Sequence, residues 1–248
     1  MKRRHHWTKL LLTLLPFALP AQAETFEEDW NQVDWADLMV EVPAAEAELN
    51  ITEVTLSRAD WLAEANKQAD AALAAGDWAR AEYRLAQALA EYPDAHDTRL
   101  RLAAMLFGRG DPDQARVRLQ QGLELVPDHA DMRLALARLL AAQERFPAAL
   151  RVLDDVSPLL HRHLDYYSLK AEMARRSGRC DLAIGLYQRL LDSSRVGAWW
   201  LGLGLCQREL GQNFTLAFEQ ARASADLGNA SLRFVEQQLE QYGTAQTH

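Results

Sequence analysis

Small and apolar positions recur along this chain with a period of 34 residues. Ala81, Ala115, Ala149 and Ala183 stand in one register, and Leu85, Leu119, Leu153 and Tyr187 follow four places later. Gly76, Gly110 and Gly178 keep the same phase with Glu144 at the missing step, while Pro93 and Pro127 close the first two units. An alanine and a larger apolar residue four places apart share one face of an α-helix. A glycine shortly before them can take the left-handed conformation that ends a preceding helix. Each unit therefore predicts a helical hairpin. Helix A runs to the glycine, Asp77 or Asp111 provides an N-cap, and helix B follows, with Pro112 in its first turn where a missing N–H costs nothing. The alanine marks the closest crossing of A and B. One hairpin cannot bury both of its faces, so successive units must stack, and the chain is expected to be an all-α, right-handed α-solenoid.

These columns resemble the tetratricopeptide repeat, whose pattern runs W-x2-L-G-x2-Y, then A-x3-F, then P. The resemblance implies four to five hairpins. Units run over 62–95, 96–129, 130–163 and 164–197, and a fifth opens with Trp200-x2-Leu203-Gly204 and carries a one-residue insertion before Ala217. The third unit departs from the pattern, with Glu144 for glycine and with Pro158 predicting a kink near the end of its second helix. The repeat domain is expected over 61–228, and 229–248 reads as a C-terminal capping helix and tail. A narrower run, from Tyr166-Tyr167 through Tyr187-Gln188-Arg189-Leu190-Leu191 and Gly197 to Gly204 to Phe234 to Leu239, resembles the C-terminal repeats of the MSHA-type (type IV) pilus biogenesis family.

The chain begins differently. Lys2, Arg3, Arg4 and Lys9 precede an apolar stretch at Leu10 to Leu19, and Ala21-Gln22-Ala23 is a small-x-small site. That pattern predicts a secretory signal peptide over 1–23, cleaved after Ala23. The stretch is shorter than the roughly 20 residues a spanning helix needs, so the mature chain is expected to be periplasmic or secreted and not membrane-spanning. Losing four positive charges takes the formal charge from −8 to −12. Most of the negative charge lies in an arm over 24–60, where eleven acids face Arg58 alone.

Composition narrows the chemistry. Of 248 residues, 49% are apolar and 25% charged, an ordinary globular balance. The acidic excess excludes a nucleic-acid surface, which needs a basic face. No phosphate-binding glycine loop, H-E-x-x-H, G-x-S-x-G or dinucleotide fingerprint occurs, so no catalytic residue, cofactor or metal is expected. The five histidines after residue 23 are scattered along the sequence, and His161 and His163, two apart, fall on different helix faces. Cys180 opens helix B of the fourth unit and Cys206 lies in helix A of the fifth, packed antiparallel to it. An oxidising compartment permits a disulfide between them, and two free buried cysteines are the other reading, because the sequence leaves the helix register open.

In the repeat family, places 2, 5, 9, 12 and 13 of helix A usually face the inner groove. Carried onto this chain, the resemblance implies Leu100, Phe107, Leu134 and Arg138 toward the middle, then Arg175, Arg176, Leu201, Leu205 and Arg208 toward a basic C-terminal end. Asn66, Asp70 and Glu172 fall at the same places, and the Lys and Asn clamp of the family's chaperone-binding members is not reproduced. The acidic arm carries Trp30 and Trp35, so it reads as a recognition element for that basic end, in its own molecule or through self-association, or as a cap on the first repeat. The expected function is a non-catalytic periplasmic scaffold binding an envelope protein or peptide in pilus or secretion-system assembly. An accessory subunit of exopolysaccharide export and an enzyme are the alternatives.

Overall fold

The computed structural model describes residues 56–245. Eleven α-helices make five antiparallel hairpins and a closing helix. These are α1 Arg58–Ala74 with α2 Trp78–Glu91, α3 His96–Gly108 with α4 Pro112–Leu125, and α5 Ala130–Ala142 with α6 Phe146–Asp154. Then follow α7 Leu164–Arg176 with α8 Cys180–Leu191, α9 Gly197–Glu209 with α10 Thr215–Ala223, and α11 Asn229–Ala245. The two helices of each hairpin pack on each other, and the second packs on the helix that follows it, with further contacts between alternate helices such as α3 and α5. Among the described residues there is no strand, and no helix is long and apolar enough to cross a membrane.

The column residues do what their spacing demands. Ala81, Ala115, Ala149 and Ala183 have no exposed surface, and Leu85, Leu119, Leu153 and Tyr187 are buried beside them. Gly76, Gly110, Gly178 and Gly211 all have positive φ, and Glu144 takes the same turn at φ 57. Asp77 accepts a hydrogen bond from the Arg80 N–H at 3.0 Å and Asp111 from the Gln114 N–H at 3.1 Å, so both cap the helices they precede. The first helix begins at Arg58, where the Ser57 hydroxyl accepts from the Asp60 N–H at 3.2 Å. Gly211 closes α9, and the inserted residue lengthens the turn before Thr215.

The third hairpin corrects the expected kink. α6 stops at Asp154, four residues before Pro158, and a 3-10 turn at Leu160–Arg162 leads into α7. The last carbonyls of a helix lack partners within it, and here side chains supply them. Arg133 donates to the Val152 carbonyl at 2.9 Å, and Tyr166 donates from a buried hydroxyl to the Leu153 carbonyl at 2.9 Å. Tyr167 donates to the Pro158 carbonyl at 2.6 Å, and Lys170 pairs with Asp154 at 2.9 Å. Burial pushes the Tyr166 phenol up to about 12, so it remains a donor throughout the physiological range.

The array closes on α11. Val235 is fully buried with Phe214, Phe218 and Ala221, and Phe234, Leu239 and Tyr242 pack against the same cluster. Gly204 makes this possible, because a Cβ there would stand 2.3 Å from the Phe218 ring. α11 thus covers an apolar face that a sixth hairpin would otherwise cover.

Candidate functional site

The first helices of neighbouring hairpins lie side by side, and α3 and α5 leave a cleft between them of about 290 Å³. Leu100, Ala103, Ala104 and Phe107 of α3 line one wall, and Ala135, Arg138, Leu139 and Ala142 of α5 line the other. Leu119 of α4 also contributes to the lining. The alanines are the cause of the hollow, since they bring little volume where larger side chains would fill it. Phe107 stays 45% exposed beside them. A large aromatic open to water on an apolar cleft is a feature of binding surfaces. The volume is near the low end of small-ligand pockets, roughly 300–1,000 Å³, and suits one or two apolar side chains.

Charge borders the cleft without entering its floor. Arg138 pairs with Asp165 of α7 at 2.9 Å, and Arg101 of α3 pairs with Asp70 of α1. These exposed pairs link the first helices of successive hairpins, each contributing about 0–1 kcal/mol.

Of the residues expected to line the groove, Leu100, Phe107 and Arg138 do meet in this cleft. Leu134 does not. It is buried in the main core, where α5 turns it toward its neighbours, and Ala135 takes the lining place. Leu201 and Leu205 are partly buried against the cluster closed by α11, so the capping helix covers the face they were expected to offer. The basic C-terminal end is also altered. Arg175 donates twice to Glu172, at 2.9 and 2.6 Å, Arg176 donates to it at 2.7 Å, and the Tyr187 hydroxyl donates at 3.0 Å. Burial raises the Glu172 carboxyl, but hydrogen bonds from Arg175 and Arg176 outweigh it and hold the group below the ordinary value. One carboxylate therefore serves both arginines, and Arg176 also stacks over the Phe146 ring. Arg208 lies over the Phe234 ring and donates to Gln238, both on α11. Trp30 and Trp35 of the acidic arm lie outside the described residues.

Two further pairings appear in the structure, one missed by the sequence reading and one left open by it. His96 and His129 meet edge to face with ring centroids 5.1 Å apart, because both stand at the start of an A helix one repeat apart. Their spacing of 33 residues could have revealed the pairing. Among the described residues no three His, Cys, Asp or Glu side chains gather into a metal-holding group. Cys180 and Cys206 are joined by a disulfide with the α-carbons 5.0 Å apart, linking α8 to α9.

Comparison with known proteins fits this geometry. A tetratricopeptide repeat family model matches residues 72–124 and 106–173, and a second matches 169–231, together more than half of the chain. No curated protein matches it. Among solved structures, MamA is similar with a TM-score of 0.56 at 19% identity, over 66% of this chain and 91% of that one. A MamA fragment from Desulfovibrio magneticus RS-1 gives 0.55 at 16% identity, over 69% and 97%. YrrB, a tetratricopeptide protein with an unusual peptide-binding site, gives 0.59 at 12% identity, over 73% and 98%. At such identities the likeness is one of fold.

Proposed function

Because the chain belongs to the tetratricopeptide repeat family, we propose that it is a non-catalytic scaffold of the bacterial envelope which binds an extended peptide segment of a partner protein in the cleft at Phe107. The observation that carries this reading is the cleft itself, an alanine-walled hollow with a half-exposed phenylalanine between two rigid helices. An inserted apolar side chain would gain burial on both walls while the peptide backbone remained in water. The peptide-binding site named for the structurally similar YrrB supports the same reading.

Export to the periplasm is supported by the basic and apolar start ending at Ala23, and by the Cys180–Cys206 bond, which persists in an oxidising compartment. The run from Tyr166 to Leu239 that resembles the MSHA-type pilus biogenesis family makes pilus or secretion-system assembly the favoured setting. Expression of the full chain in a Gram-negative host, followed by fractionation and mass measurement, tests the location. A periplasmic product beginning at Glu24 supports it, and a cytoplasmic product retaining Met1 contradicts it. Crosslinked envelope partners that are lost with Phe107→Ser, while the melting curve stays unchanged, support the cleft. Partners retained in full by that variant contradict it.

A further inference from the structure

Between α2 and α4, with Arg99 and Leu102 of α3 in its lining, lies a second hollow of about 360 Å³. Its apolar lining includes Leu89, Leu102 and Leu125, and its polar groups are Arg99, Arg118 and Gln121. Arg99 is only 5% exposed. Its guanidinium donates to the Pro93 carbonyl at 2.5 Å, yet its Nε, like the Nε of Arg118, is buried with no hydrogen-bond partner among the described residues. Gly122 provides the space for its stem, since a Cβ there would stand 2.5 Å from the Arg99 Cδ. Neither arginine pairs with a carboxylate among the described residues. Burial and the neighbouring Arg118 charge together hold the Arg99 guanidinium below its ordinary value. Two like charges over an apolar floor are costly without an anion between them.

The next repeat supplies an internal comparison. Arg133 stands 34 residues after Arg99 and donates to the Pro127 carbonyl at 2.7 Å, as Arg99 does to Pro93. There the charge is met from within the chain, because Asp155 accepts from Arg133 at 2.5 Å. Asp155 is the counterpart of Gln121, and Val152 is the counterpart of Arg118. The second repeat has therefore exchanged a carboxylate for an amide and an aliphatic side chain for a cation. Both changes raise the positive charge of the same hollow.

We infer that the hollow between α2 and α4 is a binding site for a carboxylate borne on an apolar chain, which Arg99 and Arg118 hold where Asp155 sits in the next repeat. The carboxylate would occupy the guanidinium pair and the chain would lie over Leu89, Leu102 and Leu125. A fatty acid and the C-terminus of a polypeptide ending in an apolar residue both have this chemistry. The site is separate from the Phe107 cleft, so it stands whether or not the cleft binds peptide.

Calorimetric titration of the full chain with octanoate and with acetyl-Ala-Ala-Leu tests it, against octanol and the C-terminal amide of the same peptide. At least one carboxylate should bind about tenfold or more tighter than its uncharged counterpart. Arg118→Gln and Gln121→Asp should each weaken that binding by at least about tenfold, since the first removes a donor and the second supplies an internal carboxylate. Gln121→Asp should also raise the melting temperature of the unliganded protein, a readout that needs no ligand. Binding of octanoate alone assigns a fatty acid, and binding of the peptide alone assigns a chain terminus. Equal affinity for charged and uncharged probes, no binding of either carboxylate, or a Gln121→Asp variant unchanged in both binding and melting would overturn the site.

Discussion

Glu144 holds a left-handed conformation at a turn where the four other hairpins place glycine. A side chain with a Cβ is disfavoured there by roughly 1–2 kcal/mol, and glycine's greater freedom in the unfolded chain offsets part of that. Glu144→Gly should therefore stabilise the protein by about 0.5–1 kcal/mol, seen as a higher urea midpoint with an unchanged slope. A lower midpoint would mean that the Glu144 side chain contributes more than its backbone costs. Glu172 makes a second prediction. Its carboxyl is held below the ordinary 4.5, so the unfolded chain binds its proton more tightly than the folded one. The stabilisation is then complete above about pH 4.5 and is lost as pH falls through the folded value. Glu172→Gln should destabilise the protein at neutral pH, and its gap to the wild type should narrow in urea titrations below about pH 4.5. A gap independent of pH would show that the charge of Glu172 is not what holds Arg175 and Arg176.

At the scale of the element, α6 shows how an irregular repeat is kept in a regular array. The helix ends early, and α5 and α7 satisfy its last carbonyls through Arg133 and Tyr166. Tyr166→Phe would leave the buried Leu153 carbonyl without that donor and should cost about 1–3 kcal/mol by denaturant titration. A loss below about 0.5 kcal/mol would mean that water reaches the carbonyl and replaces the hydroxyl. The hairpins and their turns were legible in the sequence because Gly76, Gly110 and Gly178 and the alanine column keep one 34-residue register, which places the third turn at Glu144 as well. The end of α6 was not legible. Pro158 forbids a continuing helix, but where the helix stops depends on which donors reach its carbonyls from α5 and α7. The cleft was half legible for a similar reason. Leu100, Phe107 and Arg138 follow from the repeat register, whereas the burial of Leu134 and the covering of Leu201 and Leu205 depend on how neighbouring helices rotate and where α11 docks.

For the whole molecule, the stacking that buries the core also determines which surfaces stay open. The C-terminal face is covered by α11, the arginines near it are engaged by Glu172, Phe234 and Gln238, and the apolar cleft with an exposed aromatic lies between α3 and α5. The proposed binding of a partner in the second and third hairpins, away from the C-terminal end, follows from which surfaces stay open. Its most direct test is hydrogen exchange on the full chain, free and bound to the tightest peptide selected from a random library. Exchange should slow within residues 100–107 and 135–142, and affinity should fall at least about tenfold in Phe107→Ser. Protection confined to α7 through α11, or equal affinity for wild type and Phe107→Ser, would contradict it.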